Sequence, residues 1–215
     1  MTRVRVDLNI SLDGYTSATD HSPDNPMGED WERLMASYIG TRTMQERVFG
    51  DTSGQGTTGV DDAYAARYFE GVGAEILGAA MFGLHTFPGD PDWKGWWGDA
   101  PPFGFPVYVL THTAPRPSLP MQGGTTFHFR SGAIEDVLAE AVAAAGGLDV
   151  RIGGGISTAR AFLCAGLVDD LHVAIAPIVL GRGNRLWDDL RGLELTHKVT
   201  TEVAESGTIH VTFTR

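Results

Sequence analysis

Between Asp149 and Asp170 the chain reads DVRIGGGISTARAFLCAGLVDD, an apolar run of strand length, three glycines, then a pattern of helix length. A strand that ends in glycines and leads into a helix brings unpaired backbone N–H groups to one point, and the helix dipole adds partial positive charge there. Without Cβ atoms an anion can approach the backbone closely, and Ser157 and Thr158 add hydroxyl donors. Two readings follow: a cradle for the phosphates of a nucleotide cofactor, or a tight strand-to-helix turn. Pattern alone leaves both open. Gly153-Gly154-Gly155 is not the G-x-G-x-x-G of a Rossmann unit, no acidic residue follows a second strand at the right distance, and the Gly-Lys-Ser/Thr of a P-loop is absent.

The rest of the chain repeats the strand–helix alternation. VRVDLNI alternates Val4, Val6, Leu8 and Ile10 on one face, and SLDGYTS breaks the strand with an Asp-Gly turn. From Glu29 to Val48 the spacing of Trp31, Leu34, Met35 and Tyr38 is helical in parts. Gly50 to Gly59, GDTSGQGTTG, has the composition of a flexible polar surface insertion. Asp61 and Asp62 open a short helix, acidic where the helix dipole favours it. AEILGA, PVYVLT, TTFHF and DVRIG read as further strands. Between the last two, Ser131 caps a helix whose apolar stripe is Ile134, Val137, Leu138, Ala141 and Val142, closed by Gly146-Gly147. DDLHVAIAPIVLG reads as one long strand, and the tail as a hairpin turning at Glu205-Ser206-Gly207. The expectation is one α/β domain over residues 1–215, with a mixed, mostly parallel sheet of about eight strands, helices on both faces and a terminal antiparallel hairpin.

Composition narrows the function. A net charge of -11 argues against nucleic acid or an anionic membrane as partner. The one cysteine, Cys164, cannot form an internal disulfide, and its setting in AFLCAGL reads as a buried packing thiol. The N-terminus lacks the apolar core of a signal peptide and no run approaches a membrane span, so the cytoplasm is the expected location. The histidines show no zinc-like spacing, His21, His85 and His128 read as surface or satisfied residues, and no metal site is expected. No Ser-His-Asp arrangement carries the flanking signatures of a hydrolase.

SLDGYTS, AEILGAAMFG, PVYVLTH, RIGGGISTARAFLCAGLVDDLHVAIAPIVLGRGNRLW and the final hairpin, in that order, resemble the dihydrofolate-reductase-like superfamily. The nearest branch contains the reductase domain of bacterial riboflavin biosynthesis and its stand-alone relatives. The resemblance implies hydride transfer from NADPH to a small, cyclic C=N or C=O substrate. It implies that Gly153, Gly154, Gly155, Ile156, Ser157 and Thr158 hold the cofactor pyrophosphate, with a cis peptide between Gly153 and Gly154. It sets Gly78, Ala79 and Met81 beside the cofactor, and Thr111-His112 near the adenosine 2′-phosphate. Ser11 and Asp13 of the SLDG turn then flank the nicotinamide and substrate, with Asp13, Asp30 or water as proton source. Trp31 and Trp97 are the substrate-side candidates, the cluster Trp93, Trp96 and Trp97 reading either as an aromatic wall or as packing.

The chain also departs from that pattern. Relatives carry Gly-Arg where this sequence has Gly78-Ala79-Ala80-Met81. Loss of a guanidinium from a phosphate site removes a contact of about 1.5–3 kcal/mol, which predicts weak cofactor affinity or a blunted preference for NADPH. His112 and Arg116 are the candidates to compensate. Ala174 stands where dihydrofolate reductases carry the threonine that pairs with the pterin-reading carboxylate, here Asp30, and the glutamate that riboflavin-pathway reductases carry before Gly153 is absent. Neither pterin nor ribosylaminouracil is supported as substrate. A second expectation from these losses is a non-catalytic, dimeric ligand-binding protein on the same fold. A homodimer through the sheet edge or C-terminal strands is expected under either reading, from the apolar run HVAIAPIVL.

Overall fold

The computed structural model describes every residue except 1, 17–21, 23, 26 and 113–115, so His21 lies outside the described residues. Strand-forming runs become β1 (Val4–Ser11), β2 (Val72–Gly78), β3 (Pro106–Leu110), the two-residue β4 (Leu119–Pro120), β5 (Thr126–Arg130), β6 (Asp149–Gly154), β7 (Asp170–Ala176), β8 (Lys198–Val203) and β9 (Ile209–Thr214). Between them lie α1 (Trp31–Ile39), α2 (Arg42–Arg47), α3 (Val60–Phe69), α4 (Ala79–Phe82), α5 (Ile134–Ala144), α6 (Ile156–Cys164) and α7 (Leu193–Thr196). The sheet order is β4-β5-β3-β2-β6-β1-β7-β9-β8. Pairings β1–β6, β6–β2, β2–β3 and β3–β5 are parallel, whereas β4–β5, β7–β9 and β8–β9 are antiparallel. This is the mixed, mostly parallel α/β sheet with a C-terminal hairpin that the sequence predicts, with β4 as an added short edge strand.

The chain divides into two compact units, each assembled from two separate segments: 1–6 with 71–168, and 7–70 with 169–215. In the first unit alternate residues of β3 face opposite ways, as a pleated strand requires. Val107 and Val109 pack with Leu77, Phe82, Phe127 and Phe129, while Tyr108 reaches the Glu140 carbonyl of α5 on the other side. Each fully buried Phe contributes about 1.5–3 kcal/mol through area removed from water. In the second unit Tyr38 of α1, Ala65 of α3 and Ala174 of β7 form one buried cluster. The hairpin inverts the usual alternation: His210 and Thr212 of β9 are buried, while all six residues of β8 are exposed.

Several local expectations are corrected. The helical pattern of 29–48 divides because Thr41 caps a new helix, its hydroxyl accepting from the Met44 N–H at 3.3 Å. Ser131 is not a cap: α5 begins three residues later with Ala133 at its N-cap and no side-chain cap bond. β7 stops at Ala176, before Pro177, which has no N–H to continue a ladder. Cys164 is exposed at the end of α6, where Phe162 and Leu163 take the buried positions. The cis peptide lies between Gly154 and Gly155, one bond later than expected. The 50–59 insertion is exposed without helix or strand, yet it is tied down: Thr57 bonds Gly40 and Arg42 through its backbone. Among the described residues no helix is long and apolar enough to cross a membrane, and no cluster of ligands could hold a metal ion.

Candidate functional site

In the first unit the three glycines have different physical jobs. A Cβ on Gly153 would stand 1.9 Å from Glu75 Oε1, so this glycine lets the β6 backbone pass a buried side chain. Glu75 is itself paired with Arg151, whose Nε donates to Glu75 Oε2 at 2.9 Å and whose second guanidinium nitrogen bonds the same oxygen. Both side chains are 3% exposed, so the pair has no water to fall back on and loss of one partner would cost about 3–5 kcal/mol. Gly154 and Gly155 are different: a Cβ on either would meet nothing within 4 Å. Gly154 has φ 114, which favours glycine, and Gly155 is the N-cap of α6 with no side-chain cap bond. Gly154 is buried and Gly155 half-buried, a side chain on either would find room, and no N-cap side chain takes up the first N–H groups of α6, which leaves them to an anion. Ser157 is exposed beside them, and Ile156 and Thr158 are half-buried.

Gly78 closes the other side of this turn. A Cβ there would meet Thr158 Oγ1 at 2.5 Å and the Gly155 nitrogen at 3.7 Å, so the end of β2 touches the start of α6. Ala79 follows as a buried residue, and Met81 is 42% exposed. Thr111 is buried, its N–H bonded to the Arg130 carbonyl at 2.8 Å, and His112 is exposed. Thr111, Arg116 and His85 line one cavity of about 460 Å³ with Phe87 and Phe129. Arg116 holds the cavity wall: it donates to the carbonyls of Trp93 (3.2 Å), Asp90 (3.4 Å) and Pro91, and lies over the Phe129 ring. Trp97 packs against Phe82, Phe103 and Phe127, and Trp93 donates its indole N–H to the Phe82 carbonyl at 2.8 Å. That placement favours the packing reading of the tryptophan cluster.

The second unit holds Ser11, Asp13, Asp30 and Trp31. Ser11, fully buried, donates to Asp13 Oδ1 at 2.5 Å and accepts from the Tyr15 N–H at 3.1 Å. The N–H groups of Leu180 and Gly181 donate to the two Asp13 oxygens at 3.1 and 2.7 Å. The Ser11 hydroxyl, then these backbone donors, hold the Asp13 carboxyl down at about 2. These hydrogen bonds favour the carboxylate form, so in this structure Asp13 acts as an acceptor. Its observed work is to join the SLDG turn to the LGRGNRLW segment. Leu12 with Ile178, Gly14 with Leu186 and Thr16 with Asn184 complete the same seam through the backbone. Gly14 (φ 86) packs against Trp187, leaving 3.1 Å to a built Cβ. Asp30 precedes α1 as its N-cap residue, makes no cap bond, and pairs with Arg33 at 2.5 Å; Trp31 is half-buried. Sequence reasoning missed the Glu75–Arg151 pair and a buried histidine pair, His172 and His210. The signal for both was charge or imidazole inside otherwise apolar strands.

A mostly parallel sheet flanked by helices, with a glycine turn between a strand and a helix, defines an α/β fold class. Within it, the chain belongs to the family described as the RibD C-terminal domain, which matches residues 2–209. Over 67 residues it is 33% identical to the uncharacterised protein YyaP of Bacillus subtilis (strain 168), a match covering 31% of this chain and 36% of that protein. Only about a third of that relative is therefore aligned. Among solved structures it is similar to a protein described as belonging to riboflavin biosynthesis from Shewanella sp. PV-4, with TM-score 0.60 and 22% identity over 100% of this chain and 99% of that one. It is also similar to a pyrimidine reductase-like protein from Corynebacterium diphtheriae, with TM-score 0.50 and 14% identity over 99% and 91% of the two chains. At these identities the structural likeness concerns the fold, and it agrees with the architecture expected from the resemblance.

Proposed function

We propose that this protein is a cytoplasmic, NADPH-dependent reductase of a small cyclic C=N or C=O substrate. The observation that carries the reading is the glycine turn at the uncapped start of α6, where a Cβ built on Gly154 or Gly155 meets nothing within 4 Å. The residues fit the cofactor's anionic groups: N–H groups of Gly154, Gly155 and Ile156 with the Ser157 and Thr158 hydroxyls would receive the pyrophosphate. Thr111 and Arg116, which line one cavity, would serve the 2′-phosphate, Arg116 supplying the positive charge that Ala79 lacks. Once bound, the nicotinamide supplies the hydride. The Asp13 carboxylate positions the loop that carries Ser11, and water supplies the proton.

The test is a titration with NADPH and NADH followed by quenching of the protein's five tryptophans. Saturable binding of NADPH is expected, with the preference over NADH reduced in Arg116→Gln. If neither cofactor binds, the reductase reading fails and the buried Ala79 marks a fold retained for ligand binding alone.

A further inference from the structure

Four ionisable side chains of the second unit form one hydrogen-bonded chain that the reductase reading does not use. Asp7 Oδ1 lies 3.1 Å from His172 Nδ1, His172 Nε2 lies 3.0 Å from His210 Nδ1, and His210 Nε2 lies 2.9 Å from Asp61 Oδ1. Strand register explains the meeting. β7 and β9 pair His172 with Thr212 and Ala174 with His210, so both imidazoles stand on one face of the sheet. Tyr64 of α3 stacks on both rings, at 4.4 Å and 12° from His172 and 4.1 Å and 2° from His210. His172 is 3% exposed and His210 0%, so water does not replace these bonds.

Each link needs one proton and one lone pair. With the carboxylates accepting at both ends, His172 Nδ1 and His210 Nε2 carry protons. The central link then takes one more: two would collide, and none would set two lone pairs face to face at 3.0 Å. The four ring nitrogens hold three protons, and the pair carries one positive charge between two carboxylates. Asp61 also lines a cavity of about 420 Å³ together with Asp62, Glu205 and Ser206, so one end of the chain reaches toward solvent.

We propose that His172 and His210 form a buried site for a single shared proton, exchanged through Asp61, which clamps α3 onto β7 and β9 while the proton is present. The groups facing the pair agree. Asp7 on β1, Asp61 on α3 and Glu202, opposite His210 on β8, are acids that favour one positive charge. Tyr38 on α1 stays neutral, its hydroxyl pushed up by burial and by the Asp7 and Asp61 charges. Burial pushes His210 down, the Asp61 hydrogen bond opposes this, and the His172 charge adds to the lowering. The three hydrogen bonds have room for one extra proton on the four ring nitrogens and none for another. Stability therefore falls as pH drops below the ordinary histidine value of about 6.5, where the unfolded chain takes up two protons against one in the fold, and falls again at higher pH as the shared proton leaves.

The experiment is ring ¹H–¹⁵N spectroscopy of the histidine-labelled full chain between about pH 5 and about pH 10. The expected result is one exchange-protected proton coupled to both His172 Nε2 and His210 Nδ1, with the two rings sharing a common titration. Two independent titrations near about 6.5, or no shared proton at any pH, overturn the proposal. Asp61→Asn should move the common titration down by about one unit or more, through loss of the compensating charge. An unchanged titration in that variant contradicts the role of Asp61. Should the variant fail to fold, the wild-type spectra still decide whether the proton is shared.

Discussion

At Gly153 a Cβ would stand 1.9 Å from Glu75 Oε1, whereas at Gly155 it would meet nothing within 4 Å. Gly153→Ala must therefore displace Glu75 and strain its pair with Arg151. We expect a loss of about 3 kcal/mol or more in denaturant unfolding. Ser157→Ala, at an exposed position, should leave unfolding nearly unchanged and weaken NADPH binding about ten-fold, the worth of one hydrogen bond to a charged group. Equal effects of the two variants on stability would contradict this division. Asp13 gives a pH signature. Its carboxyl lies at about 2 in the fold against an ordinary 3.8, so its contribution is present above the unfolded value and disappears as pH falls toward about 2. Asp13→Asn should melt below the wild type at about pH 7, with the two converging at about pH 2. A constant gap down to that pH would assign the loss to packing instead. The glycine turn was legible because strand, glycines and helix are contiguous. The partners of Asp13 were not, since Leu180 and Gly181 lie more than 160 residues away and only the fold brings them together.

At the scale of elements, β2 and α6 meet where Gly78 faces Thr158. A Cβ on Gly78 would lie 2.5 Å from Thr158 Oγ1 but 3.7 Å from Thr158 Cβ, so the conflict is with the hydroxyl alone. Gly78→Ala should cost about 1–3 kcal/mol in the wild type and markedly less in a Thr158→Ala background. Additive losses in that double-mutant cycle, measured by urea unfolding, would show that the two elements do not meet in this way. Strands and the hairpin were readable from period-two patterns and turn residues, and helices from three- and four-residue spacing. The errors fell where a local bond outweighs periodicity. Thr41 starts a new helix inside an apolar pattern, Ser131 lies too far from α5 to cap it, and Thr57 ties down a loop whose composition suggested freedom. In β9 the apolar residues Ile209, Val211 and Phe213 are half-buried and alternate with the buried His210, so a period-two pattern of apolar residues points away from the histidine.

At the scale of the whole molecule, β8 ends the sheet with all six residues exposed, Val199 and Val203 among them. An open, partly apolar edge strand is a template for pairing with another chain. The homodimer expected from the sequence should use it. Light scattering should give twice the 23.1 kDa chain mass, and Val203→Lys should return it to one chain. A monomeric wild type at micromolar concentration would remove the dimer and leave the cofactor reading intact. The order of the elements was legible because the motif blocks run in sequence along the chain. The substrate was not, because Ala174 and the residue before Gly153 lack the side chains that name one. The central claim, that the glycine turn holds the cofactor pyrophosphate, is tested most directly by backbone amide shifts of the labelled protein on adding NADPH. The largest changes should fall at Gly154, Gly155, Ile156 and Ser157; saturable binding that leaves those four amides unmoved would contradict it.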